Sequence, residues 1–202
     1  MELYIVRHGE TKWNSKHLLQ GRADIELNEN GRELAGITGK NLETVSFDRI
    51  YSSPLIRAYE TACLIRGHRN IPIFRDDRLK EISFGDYEGR DSTELLDNKE
   101  DPFHYFFNEP EKFLPAPHGE HLEEVMLRAK YFLQDEIEPL ENKLERVMIV
   151  AHGALNKGLM CHILNHDKKD YWSGGLQKNC GIIIVEYSNH TYTLKNEHAI
   201  FY

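Results

Sequence analysis

The chain has 202 residues with 33 acidic and 25 basic side chains, giving a formal net charge of −8, and 40% of its residues are hydrophobic. This length and composition predict a single domain, residues 1–202, and exclude collagen, coiled coil and intrinsic disorder. No apolar run approaches the roughly 20 residues that span a bilayer. The acidic balance argues against nucleic acid as a partner, because neutralising phosphates takes clustered lysine and arginine.

The sequence predicts a cytoplasmic protein with no membrane partner. Its first residues lack the layout of a signal peptide. The three cysteines, Cys63, Cys161 and Cys180, are widely spaced and form no CxxC pair. An odd, scattered set of this kind favours reduced thiols. The oligomeric state is not predicted by any feature of the sequence.

Five elements are predicted in the first half of the chain: strands at 3–6, 49–51 and 71–74, and helices at 28–45 and 53–66. Asn28 is the expected N-cap of the first helix. In the second helix we expect Ser53 to cap the N-terminus and Pro54 to occupy the first turn.

The net charge is concentrated in one stretch of the chain. Residues 82–121 hold ten acidic and three basic side chains, a net charge of −7, so the remainder is close to neutral. The same stretch contains seven aromatic residues and four prolines. It predicts short helices and loops, a cap-like insertion of about 82–121 between core elements.

Four further elements are predicted after this insertion: helices at 120–138 and 153–164, a strand at 146–151, and a hairpin of 182–187 and 191–195. Pro139 should end or kink the first of these helices. Strands that alternate with helices predict an α/β fold, a three-layer α/β/α sandwich around a mostly parallel sheet.

Two histidines occupy the same position in separate strands. His8 and His152 each follow a predicted apolar strand, and each is followed by glycine. Ligands of open α/β sheets bind outside the carboxyl ends of the strands. If the two strands are neighbours, both histidines meet in one crevice; taken singly, either histidine is read as structural.

Two arginines are predicted near the same crevice. Arg57 lies one turn into the helix that follows Ser53, where free N–H groups and the helix dipole favour an anion. Taken alone, Arg57 is more often a solvated surface residue. Arg7 directly follows a buried strand and needs an anionic partner, because burying an unpaired charge is costly.

Five short motifs follow one another between residues 3 and 160. They are, in chain order, Arg7-His8-Gly9-Glu10-Thr11 with Asn14; Gln20-Gly21 through Leu27 with Gly31; Ser52-Ser53-Pro54-Leu55-Ile56-Arg57-Ala58 with Thr61-Ala62; Leu79 through Gly89, containing Glu81; and Ala151-His152-Gly153. In this order they resemble the motifs of the histidine phosphatase superfamily, also called the phosphoglycerate mutase-like family. One Arg-His-Gly tripeptide is weakly specific, whereas five ordered motifs are strongly specific.

The resemblance implies a chemical role for each catalytic position. His8 would attack phosphorus and form a phosphohistidine, and Glu81 would act as general acid and then as base. Arg7, Arg57 and His152 would stabilise the charge of the transferring group, so no metal or cofactor is implied. Because Glu81 must be protonated in the first step, we expect apolar cover from the insertion. Substrate contacts are implied for Thr11, Asn14, Gln20, Gly21 and Glu120.

The family contains both phosphatases and mutases, and the charged residues of the insertion indicate which of the two activities to expect. By the resemblance, a mutase needs a second cationic site, whereas 82–121 offers only Arg90, Lys99 and Lys112 among ten acids. We therefore predict a histidine phosphatase of the acid type that hydrolyses a small phosphate monoester whose other end is neutral, apolar or cationic. One alternative is a cofactor-dependent phosphoglycerate mutase, and another is a catalytically weak phosphoester-binding protein on the same fold.

Overall fold

The computed structural model describes residues 1–202 and contains one mixed sheet of six strands. The strands are β1 Glu2–Arg7, β2 Arg49–Ser52, β3 Ile73–Arg75, β4 Arg146–Ala151, β5 Ile182–Ser188 and β6 Thr191–Ala199. Their order across the sheet is β3-β2-β4-β1-β5-β6. The first four are parallel to one another, and β5 and β6 form an antiparallel hairpin at one edge. The predicted α/β fold with a mostly parallel sheet is confirmed.

Helices cover both faces of this sheet because successive strand residues point to opposite sides. The helices are α1 Glu29–Asn41, α2 Ile56–Arg66, α3 Ser92–Asp97, α4 Leu122–Phe132 and α5 Gly153–Leu164. Residues Tyr4, Val6, Met148 and Val150 pack with α1 and α2, whereas the alternate residues of β1 and β4 pack with α4 and α5. None of these helices has the length and apolar character that crossing a membrane requires.

The crevice between β1 and β4 is the switch point of the sheet. The two strands are parallel neighbours, with Arg7 paired to Ala151. The helix after β1 lies on one face and the helix after β4 on the other, as their separate core clusters show. The following residues, His8 and His152, therefore emerge side by side where the helices diverge.

Several element ends differ from the sequence predictions, and long-range contacts explain two of these differences. Helix α1 ends at Asn41, because the guanidinium of Arg69 binds the carbonyls of Leu42 and Val45 at 2.8 and 3.2 Å. Ser53 is not the N-cap of α2, since its N–H continues the sheet by donating to the Val150 carbonyl.

The third difference concerns the helix predicted over 120–138. Helix α4 ends at Phe132 and continues as a π turn over Leu133–Ile137, followed by a 3-10 turn over Glu138–Leu140. Pro139 lies in that 3-10 turn, so the helical path ends where the proline has no N–H to donate.

The segment 82–121 consists of α3 and short 3-10 turns, as the sequence predicted. Phe103, Phe106 and Phe113 are at most 2% exposed and join the apolar cluster of α4 and α5. Much of the aromatic content of this segment therefore serves core packing.

Candidate active site

His8 presents a neutral imidazole with one free nitrogen. Its Nδ1 lies 2.6 Å from the Gly9 carbonyl oxygen. Because a carbonyl only accepts, Nδ1 carries the hydrogen and the Nε2 lone pair stays free. Burial, followed by the positive charges of Arg57 and Arg7, holds the pKa of His8 well below its usual value. The ring is therefore neutral and nucleophilic near pH 7.

His152 lies beside His8, with ring centroids 5.2 Å apart, so the predicted meeting of the two strand ends is confirmed. Its Nε2 is 2.8 Å from the Ser53 hydroxyl, and its Nδ1 has no partner in the protein. Burial, with the charge of Arg57 next in importance, also lowers the pKa of His152. The side chain that was expected to cap α2 thus orients this histidine instead.

Arg57 is completely buried, which removes its reading as a solvated surface residue. Its Nη1 donates to the Ala23 carbonyl at 2.8 Å and its Nη2 to the Gly21 carbonyl at 2.7 Å. The guanidinium group that was predicted to bind an anion therefore already donates two of its hydrogen bonds to main-chain carbonyls. Arg7 is held in a similar way, through a bond from Nη1 to the carbonyl of Gln177.

Three buried nitrogen atoms around His8 have no hydrogen-bond partner. They are Nε of Arg7, Nε of Arg57 and Nδ1 of His152. Unpartnered buried polar atoms are rare in folded proteins, and two of these belong to guanidinium cations. An anion bound beside His8 would supply the missing acceptors for the arginines, as charge-assisted hydrogen bonds do in phosphate sites.

Glu81 lies at the N-terminus of α5. Its carboxylate accepts N–H bonds from Ala154 at 3.2 Å and from Leu155 and Ile82 at 3.0 Å. It caps this helix from outside, because the N-cap His152 makes no side-chain capping bond. The sequence predicted apolar cover for Glu81, whereas the structure surrounds its carboxylate with three main-chain N–H donors.

These groups face a cleft of about 260 Å³. Seven residues named from the sequence line it: Arg7, His8, Asn14, Gln20, Gly21, Arg57 and Glu81. Thr11 lies behind the cleft wall, fully buried, with its hydroxyl 2.9 Å from Gln20 Oε1 and 3.1 Å from Asn14 Oδ1. It orients these two amides and does not line the cleft. No cluster of three or more metal-ligating side chains occurs in the chain.

Glu120 was predicted to contact substrate, and in the structure other groups of the protein bind its carboxylate. Its carboxylate accepts bonds from Arg128 Nε at 2.7 Å and Nη2 at 3.0 Å, and from the Ser83 N–H at 3.2 Å. Arg22 approaches the same carboxylate at 3.4 Å. With its oxygens engaged in this way, Glu120 lies outside the cleft lining.

Sequence reasoning gave no role to Glu88, which supports the loop that holds Arg57. Its carboxylate accepts the N–H groups of Arg22 and Ala23, each at 2.9 Å. The carbonyls of the same loop, at Gly21 and Ala23, hold Arg57. The glutamate in the Glu88-Gly89 pair was a signal for this contact, but only the fold shows which loop it meets.

The outer wall of the cleft was only partly found from the sequence. Phe84, Phe106 and Phe107 come from the aromatic insertion, while Trp172 and Leu176 come from the loop after α5. Trp172 packs against Phe107 and Phe106 with centroid distances of 4.7 and 5.1 Å. The loop has no periodic pattern, so its only sequence signal was the pair Gly174-Gly175.

Comparison with known proteins agrees with this geometry. The sequence-family model of the histidine phosphatase superfamily (branch 1) matches residues 3–198. Phosphoserine phosphatase 1 of Hydrogenobacter thermophilus is 33% identical over 175 residues, 87% of this chain and 82% of that protein. A 2,3-bisphosphoglycerate-dependent phosphoglycerate mutase of Cytophaga hutchinsonii is 34% identical over 163 residues, 80% of this chain and 76% of that protein.

A solved structure extends the comparison to the whole fold. YhfR of Bacillus stearothermophilus has a TM-score of 0.88 and 37% sequence identity, covering 97% of this chain and 96% of its own. The sequence match and the shared architecture agree on the assignment. The chain belongs to the histidine phosphatase superfamily, branch 1.

Proposed function

We propose that this protein hydrolyses phosphate monoesters through a phosphohistidine on His8. Membership of the superfamily and the phosphatase-named relative support the hydrolase activity. The observation that carries the proposal is the free Nε2 of a neutral His8 beside two guanidinium groups whose buried Nε atoms lack acceptors. A nucleophile and an anion site thus face the same cleft.

The reaction divides into two displacements at phosphorus. In the first, His8 Nε2 forms a bond to phosphorus while the ester P–O bond breaks, and Glu81 gives its proton to the leaving oxygen. In the second, water attacks the phosphohistidine, Glu81 takes the proton of that water, and the P–N bond breaks. Phosphate leaves and both side chains return to their initial states.

Two arginines and the buried imidazole of His152 stabilise the transferring phosphoryl group in both steps. Arg7 and Arg57 are oriented by carbonyls before substrate arrives, so little reorganisation is needed as charge develops. His152 is held by Ser53 with Nδ1 unpartnered.

The outer cleft favours a leaving group without charge. Apart from Arg7, Arg57 and Glu81, none of the lining residues is an arginine, lysine, aspartate or glutamate. The wall opposite is aromatic, formed by Trp172, Phe107 and their neighbours. We therefore assign the substrate to the small monoesters whose alcohol is neutral and at least partly apolar.

Mutase activity is the second candidate, because one relative is named as a phosphoglycerate mutase. A doubly phosphorylated intermediate needs cations for its second phosphate. The lining holds no arginine or lysine beyond Arg7 and Arg57, so this cleft offers no second anion site. The cleft geometry thus favours hydrolysis over mutase chemistry.

A panel of monoesters assayed with wild type and His8→Ala in parallel tests the proposal. The panel includes phenyl phosphate, phosphoserine and 3-phosphoglycerate, and released phosphate is measured in EDTA. We expect phenyl phosphate to be the best of the three, and His8→Ala to lower kcat/KM by about 10³-fold or more. Activity that survives in His8→Ala would remove the nucleophile assignment. Efficient interconversion of 2- and 3-phosphoglycerate with the bisphosphate cofactor would establish the mutase instead.

A further inference from the structure

We propose that Arg128 is the positioning residue for Glu81, acting through the main chain and together with Glu120. This inference rests on the proposed function, in which Glu81 gives a proton to the leaving oxygen. Neither Arg128 nor Glu120 lines the cleft, so neither contacts the substrate. Their effect on the reaction passes through the segment that carries Glu81.

Arg128 projects from α4 and binds the main chain just before Glu81. Its Nη1 donates to the carbonyl of Arg78 at 2.6 Å and to that of Lys80 at 2.5 Å. These carbonyls lie three residues and one residue ahead of the carboxylate. One guanidinium nitrogen therefore holds the segment on the N-terminal side of Glu81.

Glu120 completes the arrangement on the other side. It binds Arg128 through two parallel hydrogen bonds, to Nε at 2.7 Å and to Nη2 at 3.0 Å. Glu120 also accepts the Ser83 N–H at 3.2 Å and donates its own N–H to the Ser83 carbonyl at 2.8 Å. The pair is well shielded, with side chains 15% and 11% exposed. Glu81 is thus held between two fixed points.

The segment needs this support because it has no regular structure of its own. Residues 80–84 belong to neither a helix nor a strand. A general acid acts only within hydrogen-bond reach of the leaving oxygen, and a displacement of about 1 Å costs as much as 10²-fold in rate. The buried bidentate pair of Arg128 and Glu120 supplies the rigidity that the loop lacks.

The test uses the dependence of kcat/KM on the leaving group. A 4-nitrophenolate departs without protonation, whereas phenolate and alkoxide need the proton of Glu81. We expect Arg128→Met to lower kcat/KM at least about 10-fold for phenyl phosphate and no more than about 3-fold for 4-nitrophenyl phosphate. Glu81→Gln should show the same selectivity more strongly.

Two further variants separate positioning from general loss of structure. Arg146→Met is the matched control, because Arg146 also joins a carboxylate, Glu2, to a main-chain carbonyl, at Ser46, but far from the cleft. It should lower the melting temperature without leaving-group selectivity. Glu120→Gln keeps a side-chain oxygen at the same place and serves if Arg128→Met does not fold; its loss for phenyl phosphate should exceed that for the nitrophenyl ester.

The outcomes distinguish this proposal from the proposed function. Equal losses on both esters in folded Arg128→Met, or in folded Glu120→Gln if the first variant does not fold, would overturn the positioning role while Glu81→Gln remains selective. If Glu81→Gln itself loses both esters equally, the assignment of Glu81 as acid is wrong and the role of Arg128 falls with it. Selective loss in both variants, with none in Arg146→Met, supports the inference.

Discussion

Gly153 lies beside both the guanidinium of Arg7 and the carboxylate of Glu81. A methyl group on this residue would stand 3.7 Å from Arg7 Nε and 3.8 Å from Glu81 Oε2, and 2.8 Å from a methyl of Leu176. The methyl would therefore take up space that opens between the cation and the carboxylate. Under the proposed function, the absence of a side chain at this position keeps that space free for substrate.

We predict that Gly153→Ala lowers kcat/KM for phenyl phosphate about 10-fold while slightly raising stability. Gly153 is the first residue of α5, and alanine in place of helical glycine stabilises by up to roughly 1 kcal/mol. Kinetics and thermal melting on the same preparation measure both effects. Gly36→Ala is the control, because Gly36 lies in α1 with nothing near its missing Cβ, so stability should rise with activity unchanged.

At the residue scale, the sequence located the groups whose position follows directly from a strand or helix end. His8, His152 and Arg57 are of this kind, and Asn14 and Gln20 come from loops within the same motifs. The sequence did not reveal the pairing of Glu120 with Arg128, because that contact depends on how α4 packs against the segment carrying Glu81. No spacing in the sequence records that contact.

The loop between α5 and β5 is an element whose position depends on a buried ion pair. Lys157 in α5 donates to the Ser173 carbonyl at 2.6 Å and to Glu197 of β6 at 3.1 Å, with its own side chain 3% exposed. The bond to the Ser173 carbonyl fixes the loop that brings Trp172 and Leu176 to the cleft. Through Glu197, the hairpin at the sheet edge thereby supports the outer wall of the cleft.

We predict that Lys157→Met destabilises the protein by about 2 kcal/mol and raises KM for phenyl phosphate. A buried pair that loses one partner costs several kcal/mol, reduced here because Glu197 is partly exposed. The effect on KM should be smaller for methyl phosphate, which lacks the ring that meets Trp172. Urea unfolding and steady-state kinetics give the two values.

Lys195→Met provides the comparison for this change. Lys195 pairs with Glu186 on the same hairpin, with both side chains more than 40% exposed. Exposed pairs contribute little, so its stability should change by no more than about 0.5 kcal/mol. A Lys157→Met protein with unchanged KM for phenyl phosphate would show that the loop does not need the pair.

At the element scale, apolar periodicity predicted every strand of the sheet, while the ends of elements depended on distant partners. Arg69 binds the carbonyls of Leu42 and Val45 just after the end of α1, and the hydrogen bond to Val150 keeps Ser53 in the sheet. The Trp172 loop escaped prediction because aromatic and glycine residues in a non-periodic stretch indicate only a turn. Treating 82–121 as a cap-like insertion within a single domain stays a prediction.

At the scale of the molecule, the acidic charge of the insertion lies away from the cleft. None of the ten acidic residues of 82–121 lines it. Several are engaged in local contacts, such as Asp91 and Asp101 at helix N-termini and Glu88 on the Gly21 loop. The case against a mutase therefore rests on the missing second cation, and repulsion by the insertion contributes less than the sequence predicted.

We predict that the folded state loses stability as pH falls below about 6.5, because His8 and His152 both have lowered pKa values. In the unfolded chain these imidazoles take up protons near their ordinary pKa of roughly 6.5, whereas the folded chain excludes them. The unfolded state then binds more protons, so the free energy of unfolding decreases as the pH is lowered. Each group contributes a slope of up to about 1.4 kcal/mol per pH unit.

Denaturant titrations between pH 7 and pH 5 measure this slope. His8→Gln should reduce this slope by up to the contribution of one histidine, about 1.4 kcal/mol per pH unit. His68→Gln, which changes an exposed imidazole, should leave the slope unchanged. An identical pH dependence in wild type and His8→Gln would contradict the burial of a neutral His8.

The central claim, that His8 carries the phosphoryl group, is tested most directly by trapping that group. Glu81→Gln mixed with 4-nitrophenyl phosphate should accumulate the intermediate, because this leaving group needs no acid while hydrolysis of the phosphohistidine needs the missing base. After an alkaline quench, which preserves phosphohistidine, peptide mass spectrometry locates the added phosphoryl group. The account predicts close to one phosphoryl group per chain, on His8, with a matching burst of nitrophenolate. A phosphoryl group on another residue, or steady turnover with none on His8, would contradict it.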